Sequence, residues 1–75
     1  MTLNYVGNRQ NKTRLAEFTY TEREEARFLR IVNRLDSLGY EVDTGVLGWA
    51  AVEVADRAEY DMLKADFQAA RREIK

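Results

Sequence analysis

The chain has 75 residues with 12 Lys and Arg, 13 Asp and Glu, and a formal net charge of −1. This length allows one domain, residues 1–75, and the pI of about 5.4 lacks the basic character typical of nucleic-acid-binding domains. Because Cys and His are absent, disulfides and metal sites built on these residues are excluded. No apolar run could span a membrane and no signal peptide is recognisable, so we expect a cytoplasmic protein that contacts no membrane and binds no cofactor or metal.

The N-terminal segment has only a weak pattern. Leu3 to Val6 alternates briefly, and a polar, turn-rich stretch follows from residue 7 to residue 13. We expect residues 1–13 to form either a strand or a loose tail. Leu15 to Tyr20 then alternates with aromatic residues on one side, which predicts a strand that the first segment could join as a hairpin.

The first helix has the clearest signals. Thr21 and Glu24 have the spacing of a capping box, in which each residue satisfies a backbone N–H group near the other. Apolar residues then recur every three or four positions, at Phe28, Ile31, Val32, Leu35 and Leu38. This period predicts a helix, and Gly39 is the residue type that ends helices in the left-handed conformation.

The second half of the chain predicts a hairpin followed by a helix. Residues 40–43 alternate, residues 43–45 predict a turn, and residues 46–54 predict a strand rich in Val and Ala. A second helix is predicted to begin at Asp56, with Glu59 completing another capping box. The predicted order is (β)βαββα, an α+β fold in which a small antiparallel sheet carries both helices on one face.

Catalytic chemistry is poorly supported by the residue types present. Asp43-Thr44-Gly45 is the active-site tripeptide of aspartic proteases, but that chemistry needs two such aspartates, and the same residues favour a turn. Ser37 has no histidine to activate it, and no glycine-rich phosphate-binding motif is present. We therefore expect no catalytic residues and no enzymatic activity.

The first helix also carries what we call the arginine stripe. It consists of Arg23, Arg27, Arg30 and Arg34. At about 100° per residue, the four side chains fall within about 60° of one another. The stripe could bind phosphates or an acidic protein. Alternatively, it is a solvated face or pairs with Asp61 or Asp66 on the second helix.

A second candidate surface lies on the predicted strand of residues 46–54. Alternation separates Val46, Gly48, Ala50, Val52 and Val54 from Leu47, Trp49, Ala51 and Glu53. If the small, β-branched side packs under the helices, Leu47 and Trp49 lie on the open side of the sheet, as is typical of protein-contact surfaces. If the sides are reversed, Trp49 is the central core residue.

These features favour a non-enzymatic protein-interaction module. It would be an adaptor or an occluding inhibitor, of the kind that phages and mobile elements encode, and its partner would be another protein. Trp49 would be the anchor, Leu47 its neighbour, and the arginine stripe a steering surface for an acidic partner. The alternative is a regulatory protein that binds nucleic acid through the stripe. A homodimer, through the last helix or a sheet edge, also stays open.

Overall fold

The computed structural model of the protein describes residues 1–8 and 13–75. The first half contains β1 (Thr2–Asn8), β2 (Thr13–Thr19), a 3₁₀ turn (Glu22–Glu24) and α1 (Glu25–Ser37). The second half contains β3 (Asp43–Val46), β4 (Trp49–Val54) and α2 (Arg57–Glu73). The four strands form one antiparallel sheet in the order β1-β2-β4-β3. The predicted α+β fold, with two helices on a small antiparallel sheet, is confirmed.

The N-terminal segment is an edge strand. β1 pairs with β2 along its whole length, from Thr2 opposite Thr19 to Asn8 opposite Thr13. Leu3 and Tyr5 pack against the core, and this apolar contact holds the strand in place. Of the turn predicted over residues 7–13, residues 7, 8 and 13 belong to strands, and residues 9–12 lie outside the described residues.

The second hairpin reverses four residues later than predicted. Residues 43–46 are strand β3, the turn consists of Leu47 and Gly48, and β4 begins at Trp49. Gly48 has a φ of 84°, a conformation that glycine adopts without the steric cost that other residues pay. The Asp43 carboxylate does accept a hydrogen bond from the Gly45 N–H (3.1 Å), as the predicted turn would require. In the structure, however, the chain does not reverse there, and the residues between Asp43 and Val46 instead contain a shift in the register of β3 against β4. The predicted turn at residues 43–45 is therefore wrong.

The core lies between the two helices and one face of the sheet. Its fully buried side chains are Ala16, Phe18 and Ala50 of the sheet, Phe28, Ile31 and Leu35 of α1, and Leu63 of α2. The Phe18 ring is edge-on to Phe28, with centroids 5.5 Å apart, and to Phe67 of α2, with centroids 5.0 Å apart. Phe18 of the central strand β2 thus contacts both helices, so both helices pack on the same side of the sheet.

The predicted helix ends are present. The Glu24 carboxylate accepts from the Thr21 backbone N–H (3.0 Å), as a capping box requires, and the α-helix follows one 3₁₀ turn later. The Asp56 carboxylate accepts from the Glu59 N–H (2.9 Å) at the start of α2. Gly39 has a φ of 100° and ends the first helix.

Candidate functional site

The sheet face that points away from the helices is defined by the strand register. Paired residues of antiparallel strands point to the same side, and Ala16 and Phe18 point to the core. Their sequence neighbours therefore belong to the other side, which we call the open face. Its three rows are Thr2–Thr19–Trp49–Val46, Asn4–Glu17–Ala51–Asp43 and Val6–Leu15–Glu53.

Trp49 lies on the open face and is not part of the core. It is partly buried, and it stands outside the cluster of side chains packed between sheet and helices. Its cross-strand neighbours are Thr19 and Val46. Ala50, beside it in the chain, is fully buried under the helices. Of the two orientations considered from the sequence, the structure thus has the one with Trp49 on the open face.

Two exposed apolar residues adjoin Trp49. Leu47 in the turn is 70% exposed, and Val46 is 57% exposed. Alternation had grouped Val46 with the buried residues of the strand, which is wrong because the turn lies between Val46 and that strand. A two-residue turn pairs Val46 with Trp49 and places both side chains on the open face. We call Val46, Leu47 and Trp49 the hairpin corner.

The arginine stripe contacts the end of α2. The Arg27 Nε donates to the backbone oxygen of Ile74 (2.8 Å), and its Nη2 donates to the backbone oxygen of Arg71 (2.6 Å). The Arg30 guanidinium donates to the Lys75 oxygen (2.8 Å). These oxygens lie at or just beyond the negative end of the helix dipole, where cations are favourable. Two arginines thus link α1 to the C-terminal end of α2.

The remaining arginines differ from each other. Arg34 forms an ion pair with Glu73, whereas Arg23 is exposed at the start of the first helix. The two aspartates considered as partners from the sequence have other contacts: Asp61 pairs with Arg57 (3.2 Å), and Asp66 accepts from a tyrosine hydroxyl. Most of the stripe therefore has a structural use, and a role in binding a partner stays a prediction.

A groove with a volume of about 720 Å³ lies beside β4, where β3 ends. β3 pairs with β4 only from Trp49 to Ala51, and no strand in the described residues continues along this edge. Residues that flank a two-residue hairpin turn exchange hydrogen bonds, so the N–H and C=O of Trp49 point toward β3. By alternation along the strand, the N–H and C=O of Glu53 point to the same side, where β3 is no longer present.

All the charged residues that line this groove are carboxylates. They come from five different parts of the fold and are Asp36, Glu41, Asp43, Glu53 and Glu59. None of the described lining residues is Lys or Arg, and Tyr40 and Trp49 contribute aromatic rings. Within the described residues, no three carboxylates are placed to hold a metal ion. We call this feature the acidic groove.

Tyr40 is held in the wall of the groove by a hydrogen bond to α2. Its hydroxyl donates to the Asp66 carboxylate (2.5 Å). Partial burial raises the pKa of Tyr40 to about 12, and the negative charge of Asp66 adds to this shift. The phenol is therefore neutral across the physiological range and keeps this contact.

Sequence reasoning missed Val46 and the acidic groove. The signal for Val46 was the Leu47-Gly48 pair, which competes with residues 43–45 as a turn. Two sequence signals pointed toward the groove: the excess of acidic over basic residues after residue 40, and the possibility that Glu41 and Glu53 face each other across the second hairpin, where like charges are also common on solvated surfaces. The full set of carboxylates meets only in the folded chain.

No protein-family model, curated protein or solved structure matches the chain. The features of the molecule that bear on its function are the hairpin corner, the arginine stripe and the acidic groove. In the part of the chain that the structure describes, neither helix has the length and apolar character needed to cross a bilayer.

Proposed function

We propose that this protein is a non-enzymatic interaction module that binds another protein through the hairpin corner. The observation that carries the proposal is the exposure of Val46 (57%) and Leu47 (70%) beside a partly buried Trp49. Contiguous apolar side chains on a surface lose contact with water when a partner covers them, so such clusters are typical of binding sites.

Trp49 is the anchor of the proposed surface. Tryptophan is enriched among the residues that contribute most to binding free energy, since its large ring fills a pocket on the partner. Thr19 and Val46 stand beside the ring in neighbouring strands, so its conformation is restricted before binding and little side-chain entropy is lost. Leu47, at the tip of the turn, extends the apolar contact. An adaptor or an occluding inhibitor needs no more than such a rigid surface.

The test is affinity capture from native cell extract, with and without nuclease treatment, with the full chain immobilised. The matched variants are Val46→Thr with Leu47→Ser, which makes the corner polar, and Met62→Ser as a control. Met62 is comparably exposed, at 59%, but lies on α2. Circular dichroism establishes that each variant is folded.

We expect a discrete protein to bind the wild type and the Met62 variant, and to bind the corner variant at least about tenfold more weakly. Equal capture by the wild type and the corner variant would refute the proposal. Capture that disappears on nuclease treatment would instead favour nucleic acid as the partner, and the arginine stripe would then be the surface to mutate.

A further inference from the structure

We infer that the acidic groove binds an extended, basic segment of the partner protein, which adds to the sheet as a strand beside β4. This inference rests on the proposed function and specifies the chemistry of the partner. Its three supports are the unpaired edge of β4, the charge of the groove and the apolar surface within it.

The edge of β4 offers backbone hydrogen bonds. Beyond Ala51, the outer side of β4 has no paired strand in the described structure, and the Glu53 N–H and C=O point there. An extended peptide that lies in line with β3 could exchange hydrogen bonds with these groups. This mode of recognition, strand addition to an open sheet edge, takes its affinity from the main chain and its specificity from alternate side chains.

The charge of the groove selects a basic segment. Five carboxylates line it and none of its described lining residues is basic. Because these carboxylates are not gathered into a metal-binding group, they suit several Lys or Arg side chains along a peptide better than one cation. Nucleic acid does not fit, since its phosphates would face the same carboxylates.

A second copy of the chain is also a poor occupant. Pairing two β4 edges antiparallel would bring Glu53 and Asp43 of one copy close to the same residues of the other. Like charges on neighbouring strands are destabilising, and edge strands commonly use charge in this way to prevent self-association. The occupant must therefore differ in charge from this chain's own edge.

The lining also suits the long stems of basic side chains. Leu15, Val42 and Trp49, which are only partly buried, supply apolar surface between the carboxylates. Lys and Arg pack their methylene groups on such surface while the charged end reaches a carboxylate. The rings of Tyr40 and Trp49 can in addition accept a guanidinium over their faces.

The test measures binding of a short synthetic peptide in which arginine and valine alternate. There are two control peptides. The first has glutamate in place of arginine, and the second keeps the arginine sequence but carries N-methyl groups on alternate backbone nitrogens. Trp49 is the only tryptophan, so its fluorescence reports occupancy of the groove in the full chain. The protein variants are Glu41→Lys and Glu53→Lys, with Glu22→Lys as an exposed control outside the groove.

We expect the arginine peptide to bind and both control peptides to bind much more weakly. At low salt, each charge reversal in the groove should weaken binding roughly threefold to tenfold, whereas Glu22→Lys should change it by less than about twofold. Equal binding of the N-methylated peptide would overturn strand addition, and equal binding of the glutamate peptide would overturn the basic partner.

The two proposals fail in distinguishable ways. If the arginine peptide does not bind while capture of a partner still depends on Leu47, the inference about the groove is wrong and the proposed function stands. If capture does not depend on the hairpin corner, the proposed function itself is wrong.

Discussion

Replacing Trp49 with alanine tests whether the open face is free for a partner. The matched comparison is Phe18→Ala, because the two residues lie on opposite faces of adjacent strands. Phe18 is fully buried between the sheet and both helices, whereas Trp49 is partly buried, stands outside the core cluster and has Thr19 and Val46 as its cross-strand neighbours.

The expected costs differ because the two side chains are enclosed to different degrees. Loss of a core phenylalanine costs about 3–5 kcal/mol, which is much of the roughly 4–11 kcal/mol that a domain of 75 residues has in total. A tryptophan enclosed on all sides buries about 150–250 Å². Enclosure on one side halves this area, and about 25 cal/mol per Å² then gives about 2–3 kcal/mol for Trp49→Ala.

The assay is urea denaturation of both variants and the wild type, followed by circular dichroism because Trp49 is the only tryptophan. We expect Trp49→Ala to stay folded, with an unchanged slope of the unfolding free energy against urea concentration. In thermal denaturation, its melting temperature should fall by roughly 8–24 °C. A loss as large as that of Phe18→Ala would refute the reasoning. Trp49 would then be a core residue, and the hairpin corner would not be available to a partner.

Other predictions concern the contacts that join the elements. Arg27→Met should lower the free energy of unfolding by about 1–2 kcal/mol because two charge-assisted hydrogen bonds to α2 are lost, while Arg23→Met should change it by less than about 0.5 kcal/mol. Equal effects in urea denaturation would contradict this. The N-terminal amino group donates to Glu24 (2.6 Å) and is the main cause that lowers its pKa from 4.5 to about 2. The ionised Glu24 carboxylate therefore stabilises the fold above pH 4.5, and this contribution is lost as the pH falls toward 2. Glu24→Gln should flatten the acid side of a plot of melting temperature against pH, and an unchanged acid side would contradict this prediction. The pKa of Tyr40 is raised, so the neutral phenol contributes to the stability of the fold below pH 10, and this contribution is lost as the pH rises toward 12. In an absorbance titration, Tyr40→Phe should remove a step near pH 12, and Asp66→Asn should lower that step only in part, since burial is the larger cause of the shift; a step that Tyr40→Phe leaves in place would belong to another tyrosine.

The helices could be predicted because their signals are local. A helix hydrogen-bonds within itself, so its apolar spacing, the carboxylates of Glu24 and Asp56 at its start, and Gly39 at its end lie within a few residues of the groups they affect. The alternation in β2 similarly indicated which side chains face the core. These elements were sufficient to predict the α+β fold and the packing of both helices on one face.

The position of the second turn could not be predicted from local sequence, because it depends on how β4 pairs with the rest of the sheet. Residues 43–45 and Gly48 both favour a turn, and local chemistry does not choose between them. In the structure, β4 pairs with β2 from Trp49 to Val54, and this pairing buries Ala50, Val52 and Val54 beneath the helices. The turn therefore falls just before Trp49. The same choice placed Val46 on the open face.

The sequence by itself determined the element types, the helix ends and the absence of Cys and His. Only the tertiary structure decided what the charged residues contact. The arginine stripe meets the end of α2 because two helices distant in sequence pack side by side, and the acidic groove collects carboxylates from residues 36–59 around one strand edge. Hydrogen bonds within a helix act between near neighbours in the chain, whereas charge accumulates wherever folding brings surfaces together. That physical difference is why the fold was predictable and the candidate site was predictable only in part.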